Sequence, residues 1–342
     1  MPSWSARGPA VTILLCTLNG ERFLPEQLAS LERQTFENWR LIASDDGSSD
    51  RTKPILQAFS RSFERGRIEI TDGPRRGAPA NFLFLAGRKD LTSEYYAFCD
   101  QDDVWEADKL ARAIGILEQA GPGRPALYGS RTTLIDENGK MTGLSPLFAK
   151  TPTFPSALVQ NIPGGNTMVF NQRARDLLAF CGADVDIPSH DWWLYQVTSA
   201  CGGNVHYDAY PSVRYRQHTQ NVIGSNIGFA AGMRRLRMLQ QGRFRHWADL
   251  NVVALTRLRP RMSAENQETF DLFCKARHEP LLQRATMFLE VYRQTLLGNL
   301  GLAAASRARE SLRCEALAEA SAIRSANMMD AANAIFGWHR II

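Results

Sequence analysis

Four short strand-like runs, three of them largely apolar and each closing in polar residues, constrain this chain most. AVTILLC (10–16) is nearly continuous and carries β-branched residues, the pattern of a strand buried on both faces of a parallel sheet. LPEQLASLERQ follows, with Leu24, Leu28 and Leu31 at the i, i+4 and i+7 positions of one helix face. WRLIASDDGSSD predicts a second strand and a polar turn. Ser48, Ser49 or Asp50 would cap the next helix, RTKPILQAFSRSF, with Pro54 in its first turn. RIEITD (67–72) predicts a third strand, APANFLFLAGRKD a third helix and EYYAFCD (94–100) a fourth strand. Strands and helices alternating at this spacing form right-handed βαβ units and a parallel sheet. Ligands bind such sheets beyond the carboxyl ends of the strands. The polar clusters sit at those ends: Thr17 and Asn19 after the first strand, Asp45 and Asp46 after the second, Asp100 to Asp103 after the fourth.

Beyond residue 125 the pattern loosens. ALYGSRTTLIDENGK predicts a strand and a turn through Asn138-Gly139, and NIPGGNTMVFN a Gly-Gly turn before a short apolar run. SHDWWLYQVTSA reads as helix, and NVHYDAYPSVRYRQH as extended segments around Pro211. From about 228 the chain reads as helical and arginine-rich, with a domain boundary expected near 220–230.

Composition narrows the class. With 342 residues, 44% hydrophobic and 22% charged, the chain can bury a sizeable core and is not disordered as a whole. Its six cysteines are scattered singly, without the spacing of a disulfide framework or a zinc site, which points to a reducing compartment. The N-terminal MPSWSARGPA lacks the apolar core of a signal peptide, and no stretch reaches the roughly 18 apolar residues of a membrane span. A cytoplasmic location is expected, and a processive synthase with its own membrane channel is disfavoured. From residue 219 onward the chain carries 17 Lys and Arg against 10 Asp and Glu. That basic excess suits an acidic surface. MRRLRMLQQGRFRHW is either a basic amphipathic helix on anionic lipid or a helix whose apolar face packs on the rest of the protein. No nucleic-acid-binding motif accompanies the charge.

FCDQDDVW (98–105) sets Asp100, Asp102 and Asp103 within four positions after an apolar run. Like charges that close repel and are costly to desolvate. A divalent cation explains the cluster, and so does a solvated acidic turn capping the helix EADKLARAIGIL. In an extended segment Asp100 and Asp102 would share a side.

CTLNGERFLPEQLASLERQTF, SDDGSSDRT, FCDQDDVWEADKL, HDWWLYQ and YRQHTQNVIG, in that order, resemble the family 2 glycosyltransferases. The resemblance runs from about 11 to 225, and the last two motifs look most like the bacterial rhamnosyltransferase branch. It implies a GT-A (Rossmann-like) α/β fold over 1–225, with a mixed, mainly parallel sheet and flanking helices. Residues 226–342 would form a basic helical extension for packing, membrane-surface or oligomer contacts. The implied activity is inverting transfer from a nucleoside diphosphate sugar, dTDP-rhamnose favoured, to a saccharide or lipid-linked acceptor in surface polysaccharide synthesis, with no nucleic acid partner. A UDP-sugar is the alternative donor. A non-catalytic nucleotide-binding scaffold is the alternative class. A dinucleotide-dependent dehydrogenase is disfavoured, because strand one leads into TLNGERF and not a GxGxxG turn.

The resemblance also implies roles for single residues. Asp100-Gln101-Asp102 matches the DXD position: Asp102 would hold Mg²⁺ or Mn²⁺, both oxygen-seeking cations, and Asp100 the ribose or a metal-bound water. Asp103 would support them from behind. Asp46 would accept the imide N–H of the base, with Asp45 beside it and Thr17, Asn19, Glu21 and Asn81 nearby. Leu18 stands where many members carry a base-stacking tyrosine, and His190 where glutamate is commoner. Asp191 is the expected base for the acceptor hydroxyl; the alternative is a helix N-cap aspartate. Trp192 and Trp193 are either a sugar platform or core. Arg216 suits a diphosphate and His218 a Mn²⁺ ion, unless their loop is merely solvated. Gly165 and Asn166, in the GGN turn, would lie beside the acceptor.

Overall fold

The computed structural model describes residues 10–121, 123–148, 150–218 and 243–277. Of these, 10–218 and 243–263 belong to one compact unit and 264–277 to another. The first unit opens with four βα repeats: β1 (Val11–Thr17), α1 (Leu24–Glu32), β2 (Trp39–Asp45), α2 (Thr52–Ser60), β3 (Ile68–Asp72), α3 (Ala78–Ala86), β4 (Tyr95–Cys99), β5 (Val104–Trp105) and α4 (Lys109–Glu118). It continues through β6 (Ala126–Ile135), β7 (Met141–Leu144), α5 (Phe154–Val159), a 3-10 turn (Gly165–Thr167), β8 (Val169–Asn171), α6 (Gln172–Cys181), α7 (His190–Ala200) and β9 (Asn204–Arg216). After 242 come α8 (Arg243–Leu258) and α9 (Ala264–Ala276).

The four expected strands form where the apolar runs lie. All seven residues of β1 are buried, as a strand covered on both faces requires. In α1 the predicted stripe of Leu24, Leu28 and Leu31 faces inward. The expected cap of α2 is modified: Arg51 takes the capping position without a side-chain bond, while Asp50 Oδ1 accepts the Thr52 N–H at 2.9 Å.

Among the described residues the sheet runs β3-β2-β1-β4-β8-β6-β9-β5, with β7 on β6. It is mixed: β1 pairs in parallel with β2 and β4, β2 with β3, and β6 with β9, while the shorter ladders are antiparallel. The chain lays down β1, β2 and β3 outward in one direction, then returns to set β4 on the other flank of β1. That reversal opens a crevice at the carboxyl ends of β1 and β4. Register places Thr17, Asp45 and Asp72 level along this edge.

α8 lies beyond residue 225 yet packs on α6 and α7. α9 carries Phe270 and Phe273 on its buried side. The first ten residues of MRRLRMLQQGRFRHW (233–242) lie outside the described residues, as does everything after 277, while its last five open α8. Among the described residues no helix is long and apolar enough to cross a membrane.

Candidate active site

Three segments meet at the crevice, and the first is a hydrogen-bonded cradle between the loops after β1 and β2. Asp45, 1% exposed, anchors it: Oδ1 accepts the hydroxyls of Thr17 (3.1 Å) and Ser48 (2.5 Å), and Oδ2 the Ser48 N–H (2.9 Å). Asn19, in the left-handed region at φ 49°, donates its N–H to Ser48 Oγ at 2.8 Å and accepts the Ser49 N–H at 2.9 Å. Glu21 accepts the Arg51 N–H at 3.0 Å. Asp46 takes two backbone N–H groups from the segment before α3, Arg75 at 2.6 Å and Gly77 at 2.7 Å. Asn81, expected near the sugar donor, is instead buried inside α3, with its amide on the Ser44 hydroxyl and carbonyl. The inner face of α3 turns it toward β2.

The second segment is the aspartate cluster. Residues 100–103 form a bend between β4 and β5, so the extended geometry expected of them does not hold. Asp102 Oδ2 lies 2.7 Å from His218 Nε2, which joins two predicted metal ligands 116 residues apart. Asp100 is half-buried, and desolvation, with the charges of Asp102 and Asp191, pushes its carboxyl up to about 8. Gln101 clasps the first loop: Oε1 accepts the Leu18 N–H at 2.9 Å and Nε2 donates to the Leu18 carbonyl at 3.0 Å. A Cβ on Gly20 would stand 2.3 Å from that Oε1, so glycine leaves the clasp its room. Asp103 is fully buried, accepting the Arg216 N–H (3.0 Å) and the Asn166 amide (2.6 Å).

Arg216 corrects its expected role. It is 1% exposed and spent on the protein: Nε donates to the Asp102 carbonyl (3.0 Å), Nη1 to the carbonyls of Asp136 (3.3 Å) and Glu137 (3.1 Å), and Nη2 to Glu26. It braces the bend and does not offer a fork to a diphosphate.

The third segment carries the expected base. Asp191 lies in the first turn of α7, with Oδ2 accepting the Gly165 N–H at 3.2 Å and Oδ1 the Trp192 N–H at 2.7 Å. His190 is buried against Phe82, ring centroids 3.9 Å apart, and burial drops its imidazole to about 4 against the raising effect of Asp191. Trp192 and Trp193 are core: Trp193 is fully buried, and Trp192 is 6% exposed with its indole N–H on the Ala157 carbonyl. A sugar platform on these two rings is thereby corrected.

The sequence reading missed Lys109. It is fully buried at the start of α4, its ammonium 3.5 Å from the Trp105 ring centroid and without a hydrogen-bond partner among the described residues. Burial lowers it to about 7, against the raising charges of Cys99, Asp103 and Asp100. The signal was available: Lys109 shares the buried face of Leu110, Ala113, Ile114 and Leu117.

The carboxylate and imidazole of Asp102 and His218 suit a hard or borderline divalent cation. Among the described residues no group of three or more His, Cys, Asp or Glu is arranged to hold a metal. Two protein ligands match a cation that completes its shell with water and substrate phosphate.

Carboxylates from three segments thus surround a crevice at the switch point of a mixed α/β sheet, where such sheets bind ligands. Residues 12–172 match the model of the family described as glycosyl transferase family 2. The chain is 30% identical over 244 residues to the dTDP-rhamnosyl transferase RfbG of Shigella flexneri, covering 68% of this chain and 81% of that protein. It is 32% identical over 107 residues to a UDP-Glc:alpha-D-GlcNAc-diphosphoundecaprenol beta-1,3-glucosyltransferase, WfgD of Escherichia coli, covering 31% of this chain and 40% of that one. Among solved structures, S. aureus TarS 1–349 in complex with UDP-GlcNAc superimposes with a TM-score of 0.49 at 14% identity, covering 84% of this chain and 92% of that one. The chain belongs to the family 2 glycosyltransferases, and its fold is GT-A.

Proposed function

We propose that this glycosyltransferase moves rhamnose, with inversion, from dTDP-rhamnose to a saccharide or lipid-linked saccharide in surface polysaccharide synthesis. The carrying observation is the approach of Asp102 to His218 at 2.7 Å, on the rim that also holds Asp100 and Asp191. Similarity to the Shigella enzyme favours rhamnose and dTDP. A UDP-sugar is the second reading, favoured by the Escherichia coli relative named for UDP-Glc.

Asp102 and His218 would hold Mg²⁺ or Mn²⁺. Such a cation, when bound, neutralises charge on the leaving diphosphate. Asp46 faces the base, and each of its oxygens has a lone pair left after its one backbone bond. Asp191 takes the proton of the acceptor hydroxyl through the lone pairs not used by Gly165 and Trp192. The acceptor oxygen forms its bond to the anomeric carbon as the carbon–phosphate-oxygen bond breaks on the opposite face. The diphosphate leaves with that electron pair. Residues 1–225 form the catalytic domain in this reading. The basic remainder supports a cytoplasmic protein that rests peripherally on the inner, anionic membrane face.

The test is release of nucleoside diphosphate from dTDP-rhamnose, UDP-glucose and GDP-mannose with Mg²⁺ or Mn²⁺ and an oligosaccharide acceptor. The expected result is fastest release from dTDP-rhamnose, falling about 10²–10⁴-fold in Asp191→Asn. Faster release from UDP-glucose replaces the sugar donor. No release from any donor, or an unaffected Asp191→Asn, overturns the reading in favour of a binding scaffold.

A further inference from the structure

We propose that Asn166 is a positioning residue, which through one short turn sets the base against the cation-side bend. The inference rests on the glycosyltransfer reading and names a role for a residue first expected to touch the acceptor. Asn166 is 6% exposed, and its amide N–H₂ is committed to Asp103 at 2.6 Å. The preceding residue, Gly165, donates its N–H to the base Asp191 at 3.2 Å. Two adjacent residues therefore hold the two sides of the reaction.

From Asp103 the linkage continues without a gap. The other oxygen of Asp103 accepts the Arg216 N–H at 3.0 Å. Arg216 in turn donates to the Asp102 carbonyl at 3.0 Å, and His218 two residues on lies 2.7 Å from the Asp102 carboxylate. The turn has little slack. Thr167 donates its N–H and hydroxyl to the Gly164 carbonyl at 3.0 and 2.7 Å, and its Oγ1 accepts the Ser130 N–H of β6 at 3.1 Å. A Cβ on Gly165 would stand 2.6 Å from His190 Nε2 and 3.2 Å from the Asp191 Cβ. A turn pinned this closely passes a displacement of either partner to the other.

Inversion needs the base and the leaving diphosphate on opposite faces of one carbon, so their separation enters the rate directly. Loss of the Asn166 amide leaves the buried Asp103 carboxylate one partner short, and the bend shifts to relieve it. A shift of about 1 Å at such a distance costs about 10²-fold in rate.

The experiment compares wild type with Asn166→Ser, Asn166→Asp and the swap Asn166→Asp/Asp103→Asn, which restores the bond with donor and acceptor exchanged. Steady-state transfer is read with dTDP-rhamnose, Mn²⁺ and an oligosaccharide acceptor, beside Mn²⁺-dependent dTDP binding. The expected result is a kcat about 10²-fold lower in Asn166→Asp, with both KM values within about threefold and at least tenfold recovery in the swap. Asn166→Ser, which keeps a small hydroxyl donor, falls between. A raised acceptor KM at unchanged kcat overturns the proposal and makes Asn166 an acceptor contact. Losses that follow thermal stability and are not recovered by the swap also overturn it, as would variants that fail to fold while the swap folds and stays inactive. A wild type that turns over no nucleotide sugar overturns the glycosyltransfer reading and this one together. An active wild type with unaffected variants overturns this one alone.

Discussion

His190 sits next to Asp191, and burial drops its folded-state imidazole to about 4. The unfolded chain takes up a proton near pH 6.5 and the folded one does not until about pH 4. Its stability contribution is complete above 6.5 and is lost as pH falls toward 4, by about 1.4 kcal/mol per unit. Urea unfolding at pH 7.5 and 5.0 should show this loss in wild type and a flatter profile in His190→Leu. Equal slopes in the two would contradict it. Arg216 makes the second case at this scale. Removing its buried guanidinium leaves the carbonyls of Asp102, Asp136 and Glu137 without their donor, while the exposed Glu26 is rehydrated, so Arg216→Ala should lose about 1–3 kcal/mol in the same assay. Arg216 was legible as a residue of this site because YRQH places it two positions before His218. Its role was not, because Glu26 lies 190 residues away and burial alone turns the side chain inward. Trp193 was ambiguous for the same reason. An aromatic on a helix beside a carboxylate fits sugar or core, and only the packing of α7 decides.

Among the elements, the clasp of Gln101 on Leu18 ties the bend after β4 to the loop after β1. Gln101→Ala frees the Leu18 N–H, so hydrogen exchange at that amide should speed up while β1 itself stays protected. Unchanged exchange would remove the clasp from the account. Trp193→Ala tests the packing of α7, with an expected loss of about 3–5 kcal/mol. β1, β2 and β4 could be read from sequence because each is a largely apolar run bounded by polar residues, and β3 because Ile68 and Ile70 alternate with Glu69 and Thr71. β5 has two residues and β8 three, too few for any periodicity, and α5 with six is too short for a stripe; α6 carries one at Ala174, Leu178 and Cys181 that the sequence reading passed over. The bend at 100–103 was drawn extended because alternation was the available rule. Its actual shape is set by partners on Arg216 and Asn166.

At the scale of the whole molecule, the strand order does the assembling. Local pattern predicts that β1 to β4 share a parallel sheet, but not that β8 inserts between β4 and β6 or that β9 returns beside β6. Those placements carry the turn at 165–167 to Asp103, and Arg216 and His218 to Asp102. The family resemblance named candidate residues, and the non-sequential order brings Asp102, Asp103, Asn166, Arg216 and His218 into contact. In the proposed function the aspartate bend and His218 clamp a nucleoside diphosphate through a divalent cation. Calorimetric titration of dTDP, UDP and GDP, with and without Mn²⁺, into wild type and Asp102→Ala tests it most directly. The expected result is tightest binding of dTDP, dependent on Mn²⁺, and at least about tenfold weaker binding, or about 1.4 kcal/mol, in Asp102→Ala. Binding indifferent to Mn²⁺ in wild type, or a Mn²⁺ dependence that survives Asp102→Ala, would contradict it.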